Sequence, residues 1–168
     1  MDATSVEAIY FYSKTAAYYE LSNFSRHGFQ LDGGFWPTVE HYFQAQKFPA
    51  QPAYQEKIRR ARSPKDAKAL GRARKVPLRP DWEAVKDEVM RRALRAKFLA
   101  HPELLAILLG TGARELVENA PSDYYWGCGQ TGTGKNRLGH LLMELRAALK
   151  ADAEQNAPAA EGAKSGGV

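Results

Sequence analysis

Disulfide chemistry, membrane insertion and zinc binding each require residues or spacings that this 168-residue chain lacks. Its one cysteine, Cys128, rules out a bridge within the chain and suits a reducing compartment. No apolar run approaches the ~20 residues of a membrane span, so no membrane partner is expected. The opening residues MDATSVEAIYFYS lack the basic region and apolar run of a secretory signal, so the expected address is cytoplasmic. His27, His41, His101 and His140 show no metal-ligand spacing with one another or with Cys128. Cys128 stands between two glycines, and no base to activate it as a nucleophile can be named.

What is present describes a globular domain. Hydrophobic residues make up 44% and aromatics 11%, too apolar for a disordered chain and enough for one core at this length. The net charge of +5 is concentrated: residues 57–97 hold 15 Lys and Arg against 5 Asp and Glu. Such a block favours anionic partners, namely phosphate, dinucleotide or nucleic acid, although solvated helix faces have the same composition.

Most elements can be read from local signals. AIYFY at 8–12 suits a strand, YYELSNF at 18–24 is an aromatic piece with a turn-like step, and Asp32-Gly33 marks a hairpin within residues 29–36. The first third is therefore expected to form a small antiparallel sheet. Helices are expected from Thr38 to Phe48, Tyr54 to Ala61, Ser63 to about Arg74, Trp82 to about Ala100 (capped by Asp81) and from Pro102 to the glycines at 110 and 112. Trp82, Val85, Val89, Ala93 and Ala96 mark the buried stripe of the longest. RELVEN at 114–119 reads as a strand returning to the sheet, and Asn136 to about Lys150 as a last helix. The fold class is α+β: a mostly helical single domain over residues 1–150 with a small antiparallel sheet, followed by a disordered Ala/Gly-rich tail at 151–168.

The stretch with most chemistry is TVEHYFQAQKF at 38–48. Thr38 can cap the first turn, Glu40 sits where the helix dipole favours a carboxylate, and Glu40, Gln44 and Lys47 share one stripe. Seven residues of rise place Glu40 and Lys47 roughly 10 Å apart along the axis, room for a small substrate. The competing reading is an amphipathic helix with a solvated Glu and Lys. GQTGTGKN at 129–136 fits GxxxxGK but carries Asn136 where a magnesium-holding Ser or Thr belongs, and too little chain follows for a parallel sheet. A nucleotide hydrolase is excluded on that ground. The loop's free N–H groups, with Lys135 and Arg137 beside them, still suit a phosphate or ribose. Asn23 can present an amide to a ligand, and Trp126, beside Gly127 and near Asp123, is the best stacking platform of the three tryptophans.

Six segments, in order, resemble the NADAR family: FYS at 11–13, LSNF at 21–24, WPTVEHYFQAQKF at 36–48, SPKDAKALGR at 63–72, PLRPDWEAVKDEVMRRALRAKF at 77–98 and YWGCGQTGTGKNRLGHLLMELR at 125–146. The resemblance covers residues 9–150. It implies an α+β domain that hydrolyses the bond between ribose C1 and a nitrogen. The implied substrates are phosphoribosylamino-pyrimidines of riboflavin biosynthesis, ADP-ribose on guanine including ADP-ribosylated nucleic acid, or both, without metal or redox cofactor. It maps functional positions onto Glu40, Lys47, Asp123, Trp126 and Asn136, with Asn23 and Gly139 nearby. In that frame Glu40, then Asp123, is the expected carboxylate at C1. Lys47 either pairs with phosphate or attacks C1 as a neutral amine. Phe24 or Trp126 stacks on the base, Gln44 lies beside Glu40, and Gly127 to Arg137, with Lys135, holds phosphate. The rival is a module that binds ADP-ribose or nucleic acid without cutting it.

Overall fold

The computed structural model describes residues 6–158. The chain runs through β1 (Ile9–Phe11), a 3-10 turn (Tyr19–Leu21), β2 (Phe29–Leu31), β3 (Gly34–Trp36), α1 (Val39–Ala45), α2 (Pro52–Arg59), α3 (Pro64–Arg72), α4 (Trp82–Ala100), α5 (Pro102–Gly110), β4 (Leu116–Glu118) and α6 (Arg137–Gln155). The expected α+β, mostly helical architecture is present, and no helix among the described residues is long and apolar enough to cross a membrane.

The hairpin forms where Asp32-Gly33 predicts it. Both turn residues have positive φ, 52° and 78°, the backbone twist of a two-residue hairpin, and Phe29 pairs with Trp36 in an antiparallel ladder. Its position is fixed by Asp32, which accepts from Tyr42 Oη at 2.7 Å and from Arg92 at 2.6 Å. The rings of Phe29 and Trp36 meet that of Tyr42 edge-on. The other expected strand does not join this sheet. β1 pairs in parallel with β4, Ile9 opposite Leu116, so the antiparallel sheet is the hairpin alone. Strands of three residues carry too little pattern to reveal their partner, and a parallel pair joins distant segments.

α1 is at the centre. All seven of its residues are buried, Glu40, His41 and Gln44 included, so the reading of a solvated amphipathic face is overturned. Thr38 caps it as expected, accepting from the His41 N–H. The His41 ring bridges Thr38 Oγ1 at 2.7 Å and the Ala61 carbonyl at 3.0 Å. That pairing makes Nε2 the donor and Nδ1 the acceptor, and burial lowers the imidazole pKa, keeping it neutral. α2, α3 and α4 pack around this helix. Ser63 caps α3, accepting from the Asp66 N–H.

Two expectations about the ends of helices change. Asp81 does not cap α4 with its side chain; the carboxylate holds Arg79 at 2.6 and 3.0 Å instead. The buried stripe of α4 includes Met90, Leu94, Lys97 and Phe98, whereas Val85 and Ala96 are only half-buried. α6 continues to Gln155, into the segment expected as tail; residues 159–168 of that segment lie outside the described residues.

Lys97 is wholly buried, and its Nζ donates to the Glu20 carbonyl at 2.6 Å, the Ser22 carbonyl at 2.9 Å and Ser25 Oγ at 2.7 Å. Burial pulls its pKa down to about 7, while three oxygens match the three protons of an ammonium. This contact ties α4 to the loop that carries Asn23 and Phe24. Lys97→Met removes all three of these hydrogen bonds from a buried place and is expected to lower the unfolding free energy by roughly 3 kcal/mol. Urea titration followed by circular dichroism measures it, and a loss near zero would show that the tie does not hold the loop.

Candidate active site

The burial of α1 draws its polar residues into the wall of a cavity of about 320 Å³. Glu40 Oε1 accepts from Gln44 Nε2, one turn on, at 2.7 Å. Gln44 is in turn packed against Gly71 of α3: a Cβ at Gly71 would stand 1.9 Å from Gln44 Oε1. The missing side chain at 71 is therefore what lets α3 approach the helix bearing Glu40. Burial raises the Glu40 pKa, opposed by the Gln44 hydrogen bond and by the charges of Lys68, Lys47 and Arg72.

Lys47 follows α1 in a turn, its N–H donating to the Gln44 carbonyl at 3.3 Å. Its Nζ lies over the rings of Phe43 at 5.7 Å and Trp82 at 5.6 Å. Burial lowers its pKa to about 8. The Glu40 charge opposes the shift, and Arg74, Arg72 and Lys68 add to it. Among the described residues neither Lys47 nor Glu40 is in a salt bridge, so the amine and the carboxylate are not locked together.

Other segments complete the wall. Asn23 accepts the Glu40 N–H through its carbonyl at 3.2 Å and directs Nδ2 at Met90 Sδ, 3.6 Å away. Phe24 stands beside it, with Lys68 Nζ 5.8 Å from its ring centre. Asp123 Oδ1 accepts the N–H groups of Tyr125 at 3.0 Å and Trp126 at 2.7 Å, which folds the loop that brings Trp126 to the cavity. The Trp126 ring meets Phe43 edge-on at 5.3 Å. Lys68 and Arg72, one turn apart on α3, and Lys86 on α4 give this wall its positive charge. Glu118, the last residue of β4, adds a third carboxyl beside Glu40 and Asp123. A second cleft of about 620 Å³ adjoins the cavity, shares Phe24, Lys68, Arg72, Glu118 and Asp123 with it, and extends to Tyr12 and Tyr19.

Seven of the residues singled out from the sequence thus meet around one cavity: Asn23, Phe24, Glu40, Gln44, Lys47, Asp123 and Trp126. Gly127, Lys135, Asn136, Arg137 and Gly139 do not line it. Asn136 is at the N-terminus of α6, but its amide is committed to the β4 backbone, accepting from the Glu118 N–H at 3.0 Å and donating to the Leu116 carbonyl at 2.9 Å. Gly139 lets α6 approach that strand, since a Cβ there would lie 2.0 Å from the Leu116 carbonyl oxygen. Gly127 is packed against the Ala120 side chain and the Glu118 and Asp123 carbonyls. Arg137 pairs with Asp87 at 3.0 Å, and Lys135 Nζ lies 5.5 Å from the Tyr125 ring centre. Glycines of this loop are closely packed, and the cations that line the cavity beside Lys47 come from α3 and α4. Lys68 and Arg72 lie within SPKDAKALGR, where their spacing of four residues was the available signal; no local pattern marks Glu118. Among the described residues no group of three His, Cys, Asp or Glu is placed to hold a metal ion.

Residues 10–150 match the NADAR domain family. The chain is 55% identical over 141 residues to N-glycosidase YbiA of Escherichia coli (strain K12), covering 84% of this chain and 88% of that one. It is 41% identical over 155 residues to the riboflavin biosynthesis protein PYRR, chloroplastic, of Zea mays, covering 84% of this chain and 25% of that protein. The NMR structure of E. coli YbiA superposes with a TM-score of 0.83 at 50% identity, over 92% of this chain and 91% of the other.

The contact between Gly71 and Gln44 leads to a test by double-mutant cycle. Gly71→Ala overpacks the interface and is expected to destabilise the protein by about 1–3 kcal/mol. Gln44→Ala removes the clashing amide, so the double variant is expected to be more stable than the two single effects sum to, by about 1 kcal/mol or more. Urea unfolding of the four proteins measures this coupling, and strict additivity would contradict the packing described.

Proposed function

The chain belongs to the NADAR domain family and is a hydrolase of N-glycosyl compounds; from that premise we propose that the cavity on α1 cleaves the ribose C1–N bond of phosphoribosylamino-pyrimidine intermediates of riboflavin biosynthesis. The observation that carries this reading is the pair of Glu40 and Lys47, a desolvated carboxylate and a desolvated amine in one cavity without a salt bridge between them. Lys68, Arg72 and Lys86 supply charge for the phosphate, and Phe24 and Trp126 supply rings for the base.

Cleavage of such a bond builds positive charge on C1. Glu40 is assigned to face that charge, where a carboxylate in a dry site acts strongly. Lys47 is assigned as the nucleophile. Its Nζ lone pair forms a bond to C1 and gives up a proton to Glu40, while the electron pair of the C1–N bond leaves with the departing nitrogen, which takes up a proton. As the sugar ring opens, Glu40 passes that proton to the ring oxygen and Nζ is left as a protonated Schiff base; water adds at C1, and transfer of its hydroxyl proton to Nζ expels the free amine as the sugar carbonyl forms. An ordinary lysine is almost wholly protonated at neutral pH. A pKa near 8 leaves a useful fraction as free amine. Asp123 is assigned to hold the loop bearing Trp126, because its Oδ1 already accepts two backbone N–H groups.

One observation favours a second substrate. The adjoining cleft, with Tyr12, Tyr19, Lys14 and Lys65, offers rings and cations beyond the first cavity. That space suits a diphosphate and a second nucleoside, as in ADP-ribose attached to guanine.

Base release by the purified protein tests both. Wild type, Glu40→Ala and Lys47→Ala are each offered a phosphoribosylamino-pyrimidine and an ADP-ribosylated guanine oligonucleotide. Release by wild type and a loss of about 10²-fold or more in each variant are expected, and the faster substrate identifies the branch. Borohydride added during turnover is expected to fix the sugar to Lys47 as an adduct seen by peptide mass. Because the amine is the reactive form, the wild-type rate is expected to fall as pH drops below about 8. A rate unaffected by Lys47→Ala would remove the nucleophile from the scheme.

A further inference from the structure

Three buried side-chain atoms have no hydrogen-bond partner among the described residues: Asn23 Oδ1, Gln44 Oε1 and Glu118 Oε2. All three belong to residues of the cavity wall. Gln44 Oε1 is packed against Gly71, and the Asn23 amide reaches Met90 through its nitrogen. Glu118 is different in kind, because a buried orphaned carboxyl oxygen is costly unless the group carries a proton or meets a ligand. Its backbone is held on both sides: the N–H donates to Asn136 Oδ1 at 3.0 Å and the carbonyl accepts from the Cys128 N–H at 2.9 Å. The side chain is therefore delivered to a fixed place, at the seam between the cavity and the adjoining cleft.

The groups facing Glu118 are Asp123 from the loop, Glu40 from α1 and Lys68 from α3. Burial and the two carboxylates raise its pKa to about 8, against the single opposing charge of Lys68, so the carboxyl keeps its proton at neutral pH. The hydrolysis needs a proton on the departing nitrogen, because an unprotonated amide ion is a very poor leaving group. Asp123 is occupied as an acceptor and Glu40 receives a proton from Lys47. Glu118 is the remaining carboxyl of the cavity.

We propose that Glu118 is the catalytic proton donor to the nitrogen that leaves ribose C1. This role rests on the reading of the cavity as the seat of N-glycoside hydrolysis. As the C1–N bond breaks, its electron pair moves onto nitrogen. That nitrogen takes the Glu118 proton and departs as the neutral amine, leaving a carboxylate. When water later adds at C1, its oxygen stays with the sugar, one of its protons returns to Glu118 and the other leaves on Nζ. The acid is restored, and the net reaction consumes one water.

The test compares two leaving groups, using the full chain as wild type and as Glu118→Gln. One substrate is a phosphoribosylamino-pyrimidine; the other is 4-nitrophenyl riboside 5-phosphate, whose nitrophenolate leaves without a proton. Glu118→Gln is expected to slow release of the aminopyrimidine by about 10²–10⁴-fold and to leave nitrophenolate release within about threefold of wild type. The wild-type rate on the aminopyrimidine is expected to fall as pH rises past about 8, and no such fall is expected with the nitrophenyl substrate. Equal losses on both substrates, or no loss on either, overturn the role while leaving the hydrolase reading intact. Wild type inert toward both overturns that reading and this role with it. Should Glu118→Gln fail to fold, the wild-type pH profiles decide alone: a high-pH fall shared by both substrates, or seen with neither, overturns the proposal.

Discussion

Exclusion of water from α1 is the constraint on which the rest of the structure depends. A seven-residue helix with Glu40, His41 and Gln44 among its buried residues would be unstable by itself, and each neighbour answers part of that cost. Thr38 and the Ala61 carbonyl satisfy the His41 ring, and Gln44 satisfies one oxygen of Glu40. The hairpin is clamped over Tyr42 through Asp32 and Arg92. The same lack of water acts on the two ends of the stripe with opposite sign, raising the carboxyl of Glu40 and lowering the amine of Lys47. Packing and chemistry are thus one arrangement, because loosening the cover would return both groups toward their ordinary behaviour.

Much of the scaffold was legible because its signals are local. Asp32-Gly33 specifies its turn by backbone sterics, Thr38 and Ser63 cap by their own hydroxyls, and proline opens α2, α3 and α5. The pairing of β1 with β4 was not legible, since it depends on segments far apart in the chain. The site divides in the same way. Glu40, Gln44 and Lys47 are one helical stripe and could be read together. Glu118 enters through the parallel pair, so its place was as hidden as that pairing. Lys68 and Arg72 were visible only as members of a basic stretch, because a cation facing a cavity and a cation facing solvent obey the same helical spacing. The place of Asn136 was hidden in the same way, since its amide bridges backbone groups of β4, a strand far back in the chain.

The basic block also looks different once its partners are known. Arg59 and Arg60 share Glu56, Arg91 bridges Glu88 and Glu144, and Arg79 holds Asp81. Pairs of this exposed kind contribute little stability, but they neutralise much of the apparent excess locally. Lys68, Arg72 and Lys86 are the members of the block that line the cavity, beside Lys47. Lys68 and Arg72 lower the amine of Lys47 and are available to an anionic substrate. A sequence-wide surplus of charge has become a local field in one concave place.

The parallel pair has a consequence for the order in which the molecule is made. β1 leaves the ribosome early, but its partner β4 follows five of the six helices, so the strand waits without its ladder through most of synthesis. Glu40 and Lys47 are also made early, before the residues that wall them from water on the far side. A nascent chain therefore holds Glu40 and Lys47 in an open, hydrated state, and the dry cavity closes only as β4 docks and α6 packs on that strand. Contacts of such long sequence separation fold slowly, so the drying of this cavity would report completion of the whole domain.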